Sequence, residues 1–362
     1  MKKRTRKRHH KRSTRPHTGQ VRQKLSRLSQ EVTDEDLDDI HELPGKAHPR
    51  RSEPPTVASD GSSIRGLVVG LGSGHCLVES EGETFSCVLP SRFAAQQRSA
   101  VAVGDRVSFS THGDAYRLTE IYPRRTALSR PDPQNSRLER VIAANADVVS
   151  IVVAVKRPPL RPALIDRYLI ACQRGGADAL LVVNKVDLLS DKAEEELAVL
   201  ETYTAMGVPI CRCSAKANIG IEDLRQTLTD RTTVFVGHSG VGKSSLVNAL
   251  DPSLDLATNE VDSRYARGRH TTTQSRLFFL AGNIRLIDTP GIRELGLWQL
   301  NARELRFFFP EFEALAEGCR FRDCTHLHEP DCAVQEAVKE RRLDEARYAT
   351  YKRIYRDLGQ GS

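Results

Sequence analysis

Short runs of alternating apolar and polar residues extend from residue 66 to residue 121, and turn residues separate one run from the next. Alternation with a period of two is typical of strands that bury one face. Five such strands indicate a small barrel, and an OB-fold is the natural candidate because it closes five strands and binds oligonucleotides. A barrel used only for packing is the alternative. The predicted strands are residues 66–69, 75–79, 84–89, 105–110 and 116–121.

The pattern changes beyond residues 123–133, a proline- and arginine-rich segment that we interpret as a linker. Continuous apolar runs then alternate with amphipathic segments. This arrangement predicts a mainly parallel sheet with helices on both faces. The predicted strands are residues 147–155, 179–183, 209–213, 233–236, 277–280 and 284–287, and the predicted helices are residues 162–173, 191–204, 221–228 and 243–250.

The two ends of the chain differ from this middle part. Residues 1–60 contain few large apolar side chains and several prolines, so this segment cannot bury enough surface to fold. Beyond residue 296 the pattern is helical again, is interrupted by a group of cysteines and histidines, and ends in a predicted helix over residues 341–358.

Basic residues are concentrated at the N-terminus, where residues 1–28 carry no acidic side chain, and the formal charge of the whole chain is +7. Such a block neutralises phosphates and favours RNA or DNA as a partner, although a tail that only keeps the protein in solution is the alternative. The longest apolar run, residues 148–155, is shorter than the roughly 20 residues that span a bilayer. We expect a cytoplasmic protein with no membrane partner.

The string GHSGVGKS follows a predicted strand and opens a predicted helix, which is the context of a phosphate-binding loop. Its glycines let the backbone bend around phosphates, and the helix N-terminus adds a favourable dipole. Lys243 is expected to reach the β and γ phosphates, and the hydroxyl of Ser244 to bind Mg²⁺. The predicted loop consists of Gly237, His238, Ser239, Gly240, Val241, Gly242, Lys243, Ser244 and Ser245.

Two further segments supply groups near the γ phosphate. Asp288 follows a predicted strand and is expected to hold Mg²⁺, while Gly291 can donate its N–H to the γ phosphate. In the polar stretch upstream, either Thr271 or Thr272 is expected to complete the Mg²⁺ coordination. With Thr272 in this role, the expected Mg²⁺ ligands are Ser244, Thr272 and Asp288.

Ile292 follows Gly291, where many GTPases place a glutamine that orients the attacking water, and isoleucine cannot do this. His270 is the candidate for that catalytic role because its imidazole can hold a water beside the γ phosphate. A polar surface histidine is the alternative.

Base selection is assigned to the string NKVD, whose residues are Asn184, Lys185, Val186 and Asp187. The carboxylate of Asp187 can accept the N1–H and N2–H₂ donors of guanine, and adenine has no such pair. Asn184 is expected at the N7 side, with the stem of Lys185 on the ring plane. The string of Ser214, Ala215 and Lys216, after the next strand, supplies a backbone N–H for guanine O6.

Cys319, Cys324, His326 and Cys332 follow a C-x4-C-x-H-x5-C spacing. Four soft ligands suit tetrahedral Zn²⁺ with no open position, which predicts one structural zinc ion. His328 is a substitute ligand in principle. The five other cysteines are interpreted as ordinary strand or helix residues.

The guanine-reading string comes before the phosphate loop, whereas the usual GTPase order is the reverse. This rotated order, with a barrel before it and the cysteine spacing after it, resembles the circularly permuted small ribosomal subunit biogenesis GTPases. The resemblance covers about residues 66–358. It implies a multidomain protein with three folded parts: an N-terminal OB-fold β-barrel that binds RNA (61–128), a central α/β P-loop GTPase domain in circularly permuted order (129–295) and a C-terminal helical zinc-binding domain (296–362). The disordered tail (1–60) is expected from composition and lies outside the resemblance.

The same resemblance implies a slow GTP hydrolase that is stimulated by the small ribosomal subunit and assists its late maturation, with the barrel and the zinc domain on ribosomal RNA. GTP and GDP are the expected ligands, Mg²⁺ and one Zn²⁺ the expected cofactors, and a monomer the expected state. Two rivals stay open at this point: an RNA-binding scaffold with a vestigial GTP pocket, and a GTPase that acts on a protein or on a different RNA.

Overall fold

A computed structural model describes residues 63–91, 93, 100–132, 138–254, 256, 275–288, 297 and 300–360. The basic N-terminal segment lies outside the described residues. No helix within these ranges is long and apolar enough to cross a membrane.

Five strands form a closed barrel at the N-terminal end of the described chain. Each strand pairs with its neighbours in the cyclic order β1-β2-β3-β5-β4-β1, which leaves no free edge. The alternating apolar positions point inward and form a core around Val68, Val78, Phe109 and Leu118. The predicted OB-like barrel is confirmed. The strands are β1 (Ile64–Leu71), β2 (His75–Ser80), β3 (Glu83–Val88), β4 (Arg106–His112) and β5 (Ala115–Ile121).

The predicted linker is wrong in part, because strands β6 (Ala127–Pro131) and β7 (Glu139–Ala144) pair there as an antiparallel two-stranded sheet. Proline signals a break in an internal strand, but Pro131 ends β6 in a sheet that has only edge strands, where a missing N–H is tolerated. Val141 and Ala144 of β7 pack against Ala102, which precedes barrel strand β4, so buried contacts stabilise the pairing of β6 with β7.

Six further strands continue from the barrel through the antiparallel pair β1–β12, in the order β10-β9-β8-β11-β13-β12. Among these six, β12 alone is antiparallel to its neighbour. Side chains of β8 alternate between two apolar clusters, so both faces of the sheet are covered. The mainly parallel sheet is therefore confirmed. Its strands are β8 (Val148–Ala154), β9 (Asp178–Asn184), β10 (Ile210–Arg212), β11 (Thr232–Val236), β12 (Arg276–Leu280) and β13 (Ile284–Asp288).

The helices of this part follow the strands as predicted, with one exception. The single helix expected over residues 191–204 is interrupted by a 3₁₀ turn at Ala198–Leu200. Leu197, Leu200 and Tyr203 recur every three residues, the period of a 3₁₀ helix, and all three enter the same buried cluster. The helices are α1 (Pro162–Gly175), α2 (Ala193–Leu197), α3 (Glu201–Ala205), α4 (Ile221–Leu228) and α5 (Lys243–Leu250).

The C-terminal module comprises a 3₁₀ segment at Ala302–Phe308 and the helices α6 (Pro310–Ala316), α7 (Ala333–Lys339) and α8 (Glu345–Gln360). Its core is aromatic, with Phe309, Phe312 and Tyr351 almost fully buried. The last helix begins at Glu345 rather than residue 341, because the carboxylate of Asp344 accepts hydrogen bonds from the first N–H groups of α8.

A buried ionic network connects this module to helix α1. Arg347 of α8 is 2.5 Å from Asp166 of α1 and 2.5 Å from Glu311 of α6, and Tyr203 donates its hydroxyl to Asp166. The side chains of Arg347 and Asp166 are 4% and 1% exposed. Removing one partner of such a pair leaves an uncompensated buried charge.

We expect Arg347→Met to lower the free energy of unfolding by about 3–5 kcal/mol, because Asp166 then stays buried without its cation. Arg320→Met is the matched control, since Arg320 pairs with Asp331 at side chains that are 63% and 70% exposed, where a pair contributes about 0–1 kcal/mol. Urea unfolding of both variants measures the difference, and equal losses would contradict the prediction.

Candidate nucleotide site and metal cluster

The loop between β11 and α5 bends at two glycines whose conformation excludes other residues. Gly237 has φ of 147°, and a Cβ there would lie 2.2 Å from the carbonyl oxygen of Val152. Gly242 has φ of 96°, and a Cβ there would lie 2.3 Å from Nδ2 of Asn184. The helix begins immediately afterwards at Lys243. The loop therefore presents the backbone of a helix N-terminus, as an anion-binding loop requires.

Lys243 is held by the backbone of the same loop. Its Nζ donates to the carbonyl oxygens of Gly237 at 2.8 Å and His238 at 3.0 Å. These bonds keep the ammonium group beside the loop, the position from which a lysine of this type reaches phosphates. Ser244 follows it in the first turn of α5 and is partly buried, as is Ser245.

Asp288 ends strand β13, which pairs in parallel with β11, so that Ile287 lies opposite Val234. Parallel pairing places Asp288 at the same carboxyl edge of the sheet as the phosphate loop, where open α/β sheets bind ligands. Ser244 and Asp288, two of the predicted Mg²⁺ ligands, thus follow adjacent strands. The other residues predicted around the γ phosphate lie outside the described residues, namely His270, Thr271, Thr272 and Gly291.

Asn184 joins the predicted base-reading loop to the phosphate loop. Its side chain is buried, its Nδ2 donates to the carbonyl oxygen of Val241 at 2.9 Å, and its Oδ1 accepts the N–H of Ala215 at 3.2 Å. Lys185, with φ of 64°, donates its Nζ to the carbonyl oxygen of Gly240 at 2.6 Å. Direct hydrogen bonds therefore bring together three segments that are far apart in the sequence.

Asp187 lies at the exposed end of this arrangement, and the hydroxyl of Ser214 donates to its carboxylate at 2.5 Å. The same hydroxyl accepts the N–H of Ala217 at 3.0 Å, and the backbone of Ser214 pairs with Ile219. The carboxylate is thereby oriented by a residue from another loop. From the sequence, Ser214 was assigned only through its loop's backbone, and its hydroxyl contact was missed because the two residues are 27 positions apart.

Cys319, Cys324, His326 and Cys332 converge in the C-terminal module, with all four ligand atoms within 4.8 Å of one another. Nδ1 of His326 is 3.6 Å from Sγ of Cys319 and 3.5 Å from Sγ of Cys332, and these two sulfur atoms are 3.9 Å apart. A tetrahedral zinc ion separates its sulfur and nitrogen ligands by roughly 3.5–3.8 Å, so the donor set fits this metal. The alternative ligand His328 is exposed and outside the cluster.

The loop that carries the histidine is maintained by Glu329, a residue that sequence analysis missed. Its carboxylate accepts hydrogen bonds from the N–H and hydroxyl of Thr325 and from the N–H groups of Leu327 and His328. Burial acts to raise the pKa of Glu329, but these hydrogen bonds outweigh it and lower the pKa to about 2. A carboxylate that stays ionised therefore orders the segment between two predicted ligands.

Proteins of known family align with most of this chain. A protein from Gemmatimonas aurantiaca, the small ribosomal subunit biogenesis GTPase RsgA, is 39% identical over 303 residues, covering 82% of this chain and 98% of that protein. The RsgA of Haemophilus influenzae is 39% identical over 307 residues, covering 83% of this chain and 86% of that protein.

The chain belongs to the RsgA GTPase family.

The family model for the RsgA GTPase matches residues 121–298, which contain both the base-reading and the phosphate-loop segments. Two solved structures are similar to most of the chain. YjeQ from Thermotoga maritima has a TM-score of 0.66 at 32% identity, covering 82% of this chain and 99% of that one. YloQ, described as a circularly permuted GTPase, has a TM-score of 0.62 at 28% identity, covering 83% and 96%.

Membership of the RsgA family makes this chain a GTP hydrolase, and it confirms the barrel, the central GTPase domain and the C-terminal helices with a Cys₃His cluster. Hydrolysis by a GTPase uses GTP with Mg²⁺. The individual contacts to nucleotide that were assigned from the motifs stay predictions.

Proposed function

We propose that this GTPase binds the small ribosomal subunit in the cytoplasm and assists its late maturation. The alignment over 98% of the Gemmatimonas relative supports this, because that protein is named for small-subunit biogenesis. The basic tail and the OB-like barrel supply two features suited to RNA, a phosphate-neutralising segment and an oligonucleotide-binding architecture. We also propose the part limits given above, at residues 60, 128 and 295.

The proposed nucleotide contacts are those of the sequence motifs. Lys243 contacts the β and γ phosphates, Asp187 the guanine N1–H and N2–H₂, and Ser244, Thr272 and Asp288 the Mg²⁺ ion. The hydrogen bonds that Asn184 makes to Val241 and Ala215 support this assignment, since they hold the three loops at one site.

The test is GTP turnover measured with purified small subunits, with purified large subunits and without ribosomes. We expect a large stimulation by small subunits alone, because a stimulating partner contributes roughly 10³- to 10⁵-fold in other GTPases. Equal rates in all three reactions would contradict the proposed partner. Small-subunit binding with no GTP turnover in any of the three reactions would instead favour the scaffold alternative.

We infer that GTP-dependent switching repositions the RNA-facing parts. Asp288 ends β13, and by Leu297 the chain already packs against the core of the C-terminal module. A conformational change at the γ phosphate can therefore reach the C-terminal module through a short segment of chain. Subunit affinity should be higher with a nonhydrolysable GTP analogue than with GDP, and equal affinities would remove the switch.

His270→Ala is expected to bind GTP normally and to lose roughly 10²-fold in subunit-stimulated turnover, because a positioned acid–base or water-holding group contributes about that much. Single-turnover hydrolysis with saturating small subunits measures the loss. The turnover of His238→Ala is measured for comparison. His238 also lies at the proposed nucleotide site, in the phosphate loop, and its ring forms a hydrogen bond with the carbonyl oxygen of Ser239. Hydrolysis at the parental rate in His270→Ala would show that the water is held by another group.

A further inference from the structure

Two phenylalanines of the C-terminal module face solvent although its core is built from aromatic rings. Phe307 is 66% exposed and Phe321 is 41% exposed, whereas Phe309 and Phe312 are buried. Single exposed apolar residues are common. Here both exposed rings directly follow an arginine in the sequence, namely Arg306 and Arg320.

Each ring lies beneath the guanidinium group of its neighbour in the sequence. The Cζ atom of Arg306 is 4.8 Å from the ring centre of Phe307, and that of Arg320 is 5.5 Å from the ring centre of Phe321. These are cation–π distances, and they restrain the rings at the surface. The arrangement keeps flat apolar and cationic groups side by side.

Arg306 also joins the two segments. Its Nη1 donates to the carbonyl oxygen of Arg322 at 3.1 Å and to that of Cys324 at 3.4 Å. These hydrogen bonds tie the segment that carries Phe307 to the segment that carries Phe321, and one acceptor is Cys324 of the metal cluster. We use the name arginine–phenylalanine surface for the arginines of these two segments and their two exposed rings, which are Arg303, Arg306, Phe307, Arg320, Phe321 and Arg322.

The charge of this surface favours an anionic partner. Its two segments hold four arginines and two acidic residues, Glu304 and Asp323. Asp331 pairs with Arg320, but both side chains are more than 60% exposed, so solvent screens this pair. The surface therefore offers guanidinium groups for phosphates next to apolar ring faces.

We propose that the arginine–phenylalanine surface stacks unpaired bases of RNA. The inference rests on the proposed function, which supplies an RNA partner, and it adds the form of RNA that this module recognises. Unpaired bases present open faces that stack on aromatic and guanidinium planes, whereas a duplex hides those faces and offers mainly phosphates and sugars. A surface of phenylalanine rings next to arginine guanidinium groups therefore suits unpaired bases better than a duplex.

The test compares full-length, zinc-loaded proteins for binding to a single-stranded RNA of about twelve uridines and to a duplex RNA of the same length. The Phe307→Ala/Phe321→Ala double variant should lose about tenfold or more in affinity for the single strand, with duplex affinity unchanged. The Phe307→Tyr/Phe321→Tyr variant keeps the ring faces and should bind as the parent does. Phe279→Ala is the matched control, since Phe279 is 51% exposed on β12, outside this surface.

Parental single-strand affinity in the double alanine variant would overturn the inference, as would an equal loss for single strand and duplex. A parental dimer that the double variant abolishes would assign the surface to a second copy of the chain and overturn it as well. Turnover of the parental protein with small subunits is measured in parallel. If that stimulation is absent while the single-strand loss is present, the proposed function fails and the base-stacking surface stands.

Discussion

His326→Ala is expected to cost the C-terminal module both its metal and its fold. The four ligand atoms already lie at distances that suit zinc, and His326 is fully buried between Phe312 and Tyr351. Zinc binding to comparable sites contributes about 10–16 kcal/mol to folding, as much as the whole stability of a typical domain, about 5–15 kcal/mol. Metal analysis should therefore find less than one zinc per chain, and limited proteolysis should cleave within residues 300–360.

His328→Ala is the matched control, because His328 is exposed two positions further on and outside the cluster. It should keep its zinc and its protease resistance. GTP affinity should be retained in both variants, since the phosphate and base-reading loops are built by other elements. A full complement of zinc in His326→Ala would mean that the ligand set is wrong.

The pH dependence of zinc retention has a definite sign. Burial raises the pKa of the Cys324 thiol to about 12 and also raises the pKa of Cys332, so zinc has to displace protons from both. Affinity for zinc should therefore fall steadily as the pH is lowered. Zinc release measured with a chromogenic chelator should be faster at acidic than at alkaline pH, and a pH-independent rate would exclude thiolate ligands.

The barrel and the parallel sheet could be predicted because burial leaves a pattern in the sequence. Strands buried on one face alternate apolar and polar residues, and strands buried on both faces are continuous apolar runs. The hairpin of β6 and β7 could not, because Pro131 has the local signature of a break and only its edge position makes it compatible with a strand. The interruption of the helix after Leu197 likewise depends on which side chains the core receives. Local preference is overridden by packing in both cases.

The candidate site divides in the same way. Residues assigned to phosphate, base or metal occur at fixed spacings, because a loop or a metal ion imposes them, so the sequence alone is enough to predict them. Residues that orient them have no fixed spacing. Ser214 reaches Asp187 from another loop, so only the fold brings this pair together.

Asp187→Asn is expected to change the nucleotide preference from guanine toward xanthine. The carboxylate accepts two hydrogen-bond donors of guanine, whereas an asparagine amide offers a donor that suits the second carbonyl oxygen of xanthine. Sites built around such polar contacts reject the wrong partner by about 10⁴-fold or more. The ratio of GTP to XTP affinity should therefore fall by at least about 10³-fold, as measured by titrating both nucleotides.

Two variants separate this effect from a general loss of structure. Asp191→Asn makes the same chemical change at an exposed aspartate four positions on and should leave both affinities unchanged. Ser214→Ala removes the hydroxyl that orients Asp187, so it should weaken GTP binding about tenfold without favouring XTP, since the carboxylate remains. An unchanged GTP preference in Asp187→Asn would show that guanine is read elsewhere, and the contacts that join the three loops would then have only a structural role.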